Sequence, residues 1–321
     1  MERVAVAVDL GGTHLRTAVC TAQGRILSRT KTETEAHLGA EHVVARMADL
    51  IRNAVRDIPR ESVLGVGIGA PGPLNPHTGI IISCPNLPGF EDYPLRDRIA
   101  GMVGLPTIVE NDANAAAVGE HRFGAGKGFC HIVYLTISTG IGGGIIADNR
   151  LLWGNTGLAG EVGHMTLEAN GPRCNCGNIG CLEVLAAGPA IARNAREAIG
   201  AGRATTILDM TPNRDPERIS ARIVTDAAKA GDALAAELLA RAGFYIGVGV
   251  VNLLHLFNPG RVIIGGGVSF AGDLLFEPIR RTVAERATPI FLKGVDIVPA
   301  ALGDDAGLLG AASLVFDAAN P

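Results

Sequence analysis

Apolar residues in the first part of the chain alternate between two periods. VAVAVDL (4–10) is a short β-branched run, and LRTAVC and RILSRTKT follow it across turns at Gly12 and Gly24, which predicts an antiparallel meander. Over 39–58 the apolar positions Val43, Met47, Leu50, Ile51, Ala54 and Ile58 recur at helical spacing and stop before Pro59, which predicts an amphipathic helix. VLGVGIG (63–69) reads as a buried strand, APGPLNPHTG as a loop, LRDRIAGMVG as a short helix and PTIVE as a strand. NDANAAAVGEHRFG then reads as a helix capped by Asn111 or Asp112.

The pattern restarts near residue 120. HIVYLTIS (131–138) is a strand, STGIGGG a glycine loop and GIIAD a strand leaving it, an echo of VAVDLGGTHLRTAV that suggests a weak internal duplication. Residues 151–187 read as irregular. Beyond them SARIVTDAAKAGD, ALAAELLARAGFYIGVGVVNLLHLF, DLLFEPIRRTVAERA and AGLLGAASLVFD predict helices, with RVIIGGG and VDIVPAA as strands between them. Alternating strands and helices imply α/β layers in two domains.

Composition removes several function classes. No window approaches 18 uninterrupted apolar residues, so no membrane span is expected. The N-terminus carries Glu2, Arg3 and Asp9 around a short apolar run, unlike a signal peptide, and the cysteines outside one cluster are scattered; both favour the reducing cytoplasm. A net charge of −4 without a Lys/Arg stripe argues against nucleic acid. Small molecules become the expected partners, and 43 glycines raise the question of where backbone must approach one.

Three glycine turns each follow a strand: Asp9-Leu-Gly-Gly-Thr13, Ser138-Thr-Gly-Ile-Gly-Gly-Gly144 and Gly265-Gly-Gly267. Such turns serve as hairpin tighteners or as cradles of backbone amides for phosphate, and none matches the GxxxxGK[ST] loop. Asp9 ends an otherwise apolar strand, where a carboxylate is costly unless it faces a metal or a polar site; Mg²⁺ would meet that need. Asp112, beside Asn111, reads as a helix cap or as a general base toward a hydroxyl attacking phosphate.

Half of the six cysteines, Cys174, Cys176 and Cys181, fall in CNCGNIGCLE, shortly after GEVGHM with Glu161 and His164. One imidazole and three thiolates make a closed tetrahedral set for Zn²⁺; free structural thiols or a disulfide are the alternatives, and the spacing favours zinc.

Together, DLGGTHLR (9–16), GAPGP (69–73), ENDANAAAVGE (110–120), STGIGGGI (138–145), GLAGEVGHM (157–165), CNCGNIGCLE (174–183) and IIGGG (263–267) resemble the ROK family of sugar kinases and repressors, in its order and across nearly the whole chain. The resemblance implies a two-lobed actin- and hexokinase-like (ribonuclease H-like) ATPase fold with a zinc-binding loop. Residues 1–120 would form the smaller lobe, completed by a C-terminal helix at 305–321, and 121–304 the larger. It implies transfer of the ATP γ-phosphoryl group to a hexose hydroxyl, expected at C6 of glucose, with Asp112 as base. Gly72, Asn86, Asn111, Asp112, Glu161, His164 and Glu183 would contact the sugar. Asp9, Gly11, Gly12 and Thr13 would form the first phosphate loop, Thr139 and Gly140 the second, and Gly265 and Gly266 the adenosine side. His164, Cys174, Cys176 and Cys181 would hold structural zinc. His14 stands where members vary, and its role stays open.

Kinases of N-acetylglucosamine or N-acetylmannosamine share these motifs, as do sugar-responsive repressors. Repressors carry a helix-turn-helix ahead of the body, and a phosphate loop starting at Asp9 leaves no room for one. Polyphosphate as donor is less expected than ATP with three nucleotide loops present. A homodimer is the family expectation.

Overall fold

The computed structural model describes residues 2–319, so the outermost residues of the two expected lobe limits, 1, 320 and 321, lie outside the described residues. In chain order it forms β1 (Val4–Leu10), β2 (His14–Thr21), β3 (Ile26–Glu33), α1 (Ala40–Ala54), β4 (Val63–Ala70), β5 (Leu74–Asn75), β6 (Ile80–Ile81), α2 (Leu95–Val103), β7 (Thr107–Asn111) and α3 (Asp112–Phe123). There follow β8 (Ile132–Ile137), β9 (Ile141–Ala147), β10 (Arg150–Leu151), α4 (Leu182–Ala186), α5 (Gly188–Gly200), α6 (Ala221–Lys229), α7 (Ala233–Phe257), β11 (Arg261–Gly265), α8 (Asp273–Arg286), β12 (Asp296–Pro299) and α9 (Ala306–Ala319).

The chain packs as two units. One holds the residues up to Cys130, Gly144–Gly160 and the chain from Ala300 on; the other holds His131–Gly143 and Glu161–Pro299. The expected division at residue 120 therefore falls inside α3, and 144–160, expected in the second lobe, packs with the first.

In the first unit the sheet runs β3-β2-β1-β4-β7. β1 pairs antiparallel with β2 and parallel with β4, and β4 is parallel to β7. Period-two alternation along β1 sorts its side chains: Val4, Val6, Val8 and Leu10 join the core under α1 and α2, whereas Ala5 and Ala7 face α9. Small residues on that second face let α9 settle against α3 and β4. A Cβ on Gly67, Gly119 or Gly310 would collide with the carbonyls of Ala311, Ala306 and Ala115 respectively. At the far end of α3, Glu120 is fully buried and accepts the amides of Ala125, Ala301 and Leu302 at 2.8, 2.9 and 2.7 Å, which ties that helix to the segment entering α9.

The other large sheet runs β10-β9-β8-β11-β12, and the division between the units passes through β9 at Gly143 and Gly144. Counted within its own set of strands, each large sheet reads third, second, first, fourth, fifth. The expected duplication of strand, glycine turn and strand corresponds to β1-β2 and β8-β9, which hold equivalent places in the two orders. α7 is long and apolar enough to cross a membrane, but 61% of its most apolar window is buried inside the protein, and it packs against α4, α5, α6 and α8 as a core helix.

Several elements differ from the sequence expectation, α4 among them, since it falls in the stretch 151–187 read as irregular. α5 was unpredicted because its buried stripe is largely alanine (Ala190, Ile191, Ala192, Ala195), which gives weak apolar contrast. The loop after β4 contains the hairpin β5-β6, each strand only two residues long.

Candidate active site

In the first unit, β1 ends at the glycine turn and β2 leaves it. Gly11 closes the turn by donating its amide to the His14 carbonyl at 3.0 Å, and Thr34 donates to the carbonyls of Thr13 and Gly11. The side chains of Thr13 and His14 are exposed. Asp9, on the alanine face of β1, ion-pairs with Arg16 across the hairpin at 3.0 Å, and Arg16 also donates to the Asp304 carbonyl. Burial holds the Asp9 carboxyl above its ordinary range, with Arg16 opposing that shift. The counter-charge expected beside Asp9 is thus supplied in part by Arg16.

Asn111 ends β7 and caps α3: its side-chain oxygen accepts the amides of Ala113 and Asn114 at 3.0 and 3.2 Å. Asp112 is the first helical residue, exposed, with its carboxylate also accepting the Ala113 amide at 2.7 Å. Capping is therefore done by Asn111, and Asp112 stays presented to solvent. Gly72 lies beside Asn111, since a Cβ there would stand 3.5 Å from Asn111 Nδ2. Asn86 lies against Gly12, where an added Cβ would meet the Asn86 Cβ and carbonyl at 3.3 Å.

Beneath this turn sits Glu110, 1% exposed. Burial raises its pKa, and hydrogen bonds from Trp153, Asn114 and the Asn111 amide oppose the shift. Arg16 and Glu110 fall inside the stretches DLGGTHLR and ENDANAAAVGE without an assigned role, and Trp153 lies outside them, because the Asp9–Arg16 and Glu110–Trp153 pairs form only across strands or between distant parts of the chain.

In the second unit, Glu161 and His164 bracket a 3₁₀ turn, Val162–His164, in which residues three apart eclipse. The ligand atoms of His164, Cys174, Cys176 and Cys181 lie within 4.8 Å of one another. Cys176 Sγ stands 3.7 Å from Cys181 Sγ, and Cys174 Sγ 3.9 Å from His164 Nδ1. Zn–S bonds of about 2.3 Å in a tetrahedron set sulfurs roughly 3.8 Å apart, so this donor set fits zinc. Glu183 opens α4 next to the cluster: Oε1 is 3.8 Å from Cys174 Sγ, while Oε2 accepts the Ile141 amide at 2.9 Å.

A cavity of about 780 Å³ opens in the same unit, within the range of small-molecule sites. Ser138 and Thr139 from the glycine loop line it together with Gly188 and Pro189 at the start of α5, Lys229 of α6, and Gly267, Val268 and Phe270 after β11. Thr139 offers a hydroxyl to phosphate, the Gly188 amide at the start of α5 being taken by the Ser138 carbonyl at 2.8 Å, and Val268, Phe270 and Ile219 offer apolar surface to a base. Gly267 lines the cavity; Gly265 ends β11, and Gly266, at φ 84°, crosses so close to Ile137 that a Cβ would strike its backbone. The α5 wall was missed along with α5 itself, although Pro189 just inside the helix start was a usable signal.

The model of the ROK family matches residues 5–318. The chain belongs to the ROK family. A glucokinase of Thermotoga maritima is 40% identical over 97% of this chain and 96% of its own length. A ROK family glucokinase from Streptomyces griseus, solved in complex with glucose and AMPPNP, superposes with a TM-score of 0.82 at 36% identity, covering 98% of this chain and 99% of that one. The family's other branch is also similar: a xylose repressor of Caldicellulosiruptor bescii is 31% identical over 97% of this chain, which spans 77% of the repressor.

Proposed function

We propose that this ROK protein is an ATP-dependent hexose kinase that phosphorylates the C6 hydroxyl of glucose, with Asp112 as general base. The observation that carries the reading is the division of labour at the start of α3. Asn111 caps the Ala113 and Asn114 amides, and the Asp112 carboxylate beside it is exposed while also accepting the Ala113 amide, so a substrate hydroxyl can reach it. Full-length identity to a glucokinase supports the substrate class.

In the reaction the C6 hydroxyl gives its proton to Asp112 as its oxygen attacks the γ-phosphorus. The bond from that phosphorus to the β,γ-bridging oxygen breaks, and ADP leaves. The 780 Å³ cavity, which Thr139 lines, is assigned to the nucleotide, with Thr139 and the adjoining Gly140 assigned toward the phosphates. Asp9 would hold Mg²⁺, which takes one or two protein carboxylates besides waters and phosphate oxygens and neutralises phosphate charge when bound. Gly11, Gly12 and Thr13 are assigned to the phosphates on the same turn. Glu161, His164 and Glu183 are assigned to sugar hydroxyls. His164, Cys174, Cys176 and Cys181 would hold zinc, which when bound orders the loop carrying them. The working form is taken as a cytoplasmic homodimer, the dimer being checked by light scattering.

A coupled ADP-release assay over glucose, N-acetylglucosamine, N-acetylmannosamine, mannose and fructose tests the reading. Glucose is expected to give the highest kcat/KM. A preference for an acetylated hexosamine moves the enzyme to that class. Sugar binding without ADP release for any of the five overturns the kinase reading in favour of the sensor role suggested by the repressor relative.

A further inference from the structure

Glu110 is a carboxylate enclosed by donors. Oε1 accepts the Asn111 amide at 2.8 Å and the Asn114 side-chain amide at 3.0 Å, and Oε2 accepts the indole N–H of Trp153 at 2.6 Å. Both oxygens act as acceptors only, which is the pattern of an ionised carboxylate. Neither the strand nor the helix needs a charge here, since Asn111 already caps α3, and an ion at this depth is unfavourable unless its partners are right in number and direction.

Trp153 brings a separate piece of chain to that carboxylate. Its carbonyl accepts the Ala159 amide at 3.1 Å, closing the loop on itself. Its ring meets His77 edge-on at a centroid distance of 5.9 Å, and Gly157 lies so close to Pro76 that a Cβ would collide with the ring. The β5-β6 turn, the 153–159 loop and the first residues of α3 therefore meet at one buried acid, all within the first unit.

We propose that Glu110 is a positioning residue for phosphoryl transfer. It fixes the Asn111 backbone from which Asp112 projects, and its bond to Trp153 makes that alignment depend on the 153–159 loop being seated. The proposal rests on the reading of Asp112 as base. It assigns a catalytic consequence to a loop that supplies no reacting group, because misplacing a base by a fraction of an ångström is enough to lower turnover.

The test is a double-mutant cycle with Glu110→Gln and Trp153→Phe. The amide introduced by the first variant has the size of the carboxylate but carries a donor in place of one acceptor, so it opposes either the indole N–H or the Asn111 and Asn114 donors. Removing that N–H with Trp153→Phe relieves the opposition. We expect Glu110→Gln to lower kcat about 10- to 100-fold, Trp153→Phe about 3- to 10-fold, and the pair by clearly less than the product, with the KM for ATP held within about threefold. Trp153 is the chain's only tryptophan, so its emission reads the bond directly, and Glu110→Gln is expected to shift its maximum. If Glu110→Gln fails to fold by circular dichroism, Trp153→Phe alone carries the test. Single variants within twofold of wild-type kcat, or losses that multiply in the pair, overturn the proposal. Absence of ADP release by the wild type with every sugar overturns the kinase reading instead.

Discussion

Glu183 reaches over Gly140 to the next amide in the chain. Its Oε2 accepts the Ile141 N–H at 2.9 Å, and a Cβ on Gly140 would stand 2.6 Å from that same oxygen. One carboxylate thereby links the glycine loop that borders the 780 Å³ cavity to the helix that begins beside the cysteine cluster. Gly140→Ala is expected to displace Glu183 and lower kcat/KM for the sugar about tenfold or more, with a small change in melting temperature. Steady-state kinetics and a thermal melt decide it; unchanged sugar kinetics would remove Glu183 from the sugar site.

Asp112→Asn keeps the shape of the side chain and an oxygen for the Ala113 amide, while Asn111 still caps the helix. The variant cannot accept a proton at neutral pH. Turnover should fall by about 10² to 10⁴, the usual range for a lost general base, with sugar affinity by calorimetry within about threefold of wild type. Retention of a third of the activity would leave Asp112 as a surface residue of the first turn.

Asp9 carries opposite consequences for stability and for activity. Burial raises its folded-state pKa above the ordinary 3.8, so the ionised form destabilises the fold at any pH above that raised value. The penalty shrinks as pH falls through the raised value and is absent below 3.8, where both states are protonated. Asp9→Asn should therefore melt higher than wild type at pH 7 and match it in acid, while use of Mg-ATP falls about tenfold or more. Melts across pH with ATP kinetics check both halves, and a variant with wild-type ATP kinetics would separate Asp9 from the metal.

How much of this was legible in sequence follows the range of the interactions. The two strand meanders, the helix cap at Asn111 and the cysteine cluster are written in residues a few positions apart, and the structure brings each local set together. Some partners of the buried acids are not local. Glu110 meets Trp153 from 43 positions away, and Glu120 meets Ala301 from 181. The packing of 144–160 with the first unit has the same origin, because no composition shift marks a contact made only after folding. Arg16 is closer, but its pairing with Asp9 depends on the register of β1 with β2, in which those two residues stand opposite.

His164 Nδ1 is the ring nitrogen that faces a thiol, which leaves Nε2 as the one to meet a hydroxyl. A metal held by this set would fix the imidazole and also the entry to α4, where Glu183 sits two residues after Cys181. The loop between has two glycines at positive φ, Gly177 and Gly180, and is held by turn bonds such as Cys174 N–H to the Asn178 carbonyl and Gly180 N–H to the Pro172 carbonyl, both 2.8 Å. Cys176 is the exposed member of the set, and Cys176→Ser should therefore remove a ligand with little disturbance of the core. We expect bound zinc below one per chain and kcat/KM for the sugar down about tenfold or more, with nucleotide affinity within about threefold because the cavity is lined by other elements. Metal analysis of the purified protein, run beside the kinetics, provides the check. Zinc-free protein with full sugar kinase activity would refute the assignment and leave the cysteines as ordinary structural thiols.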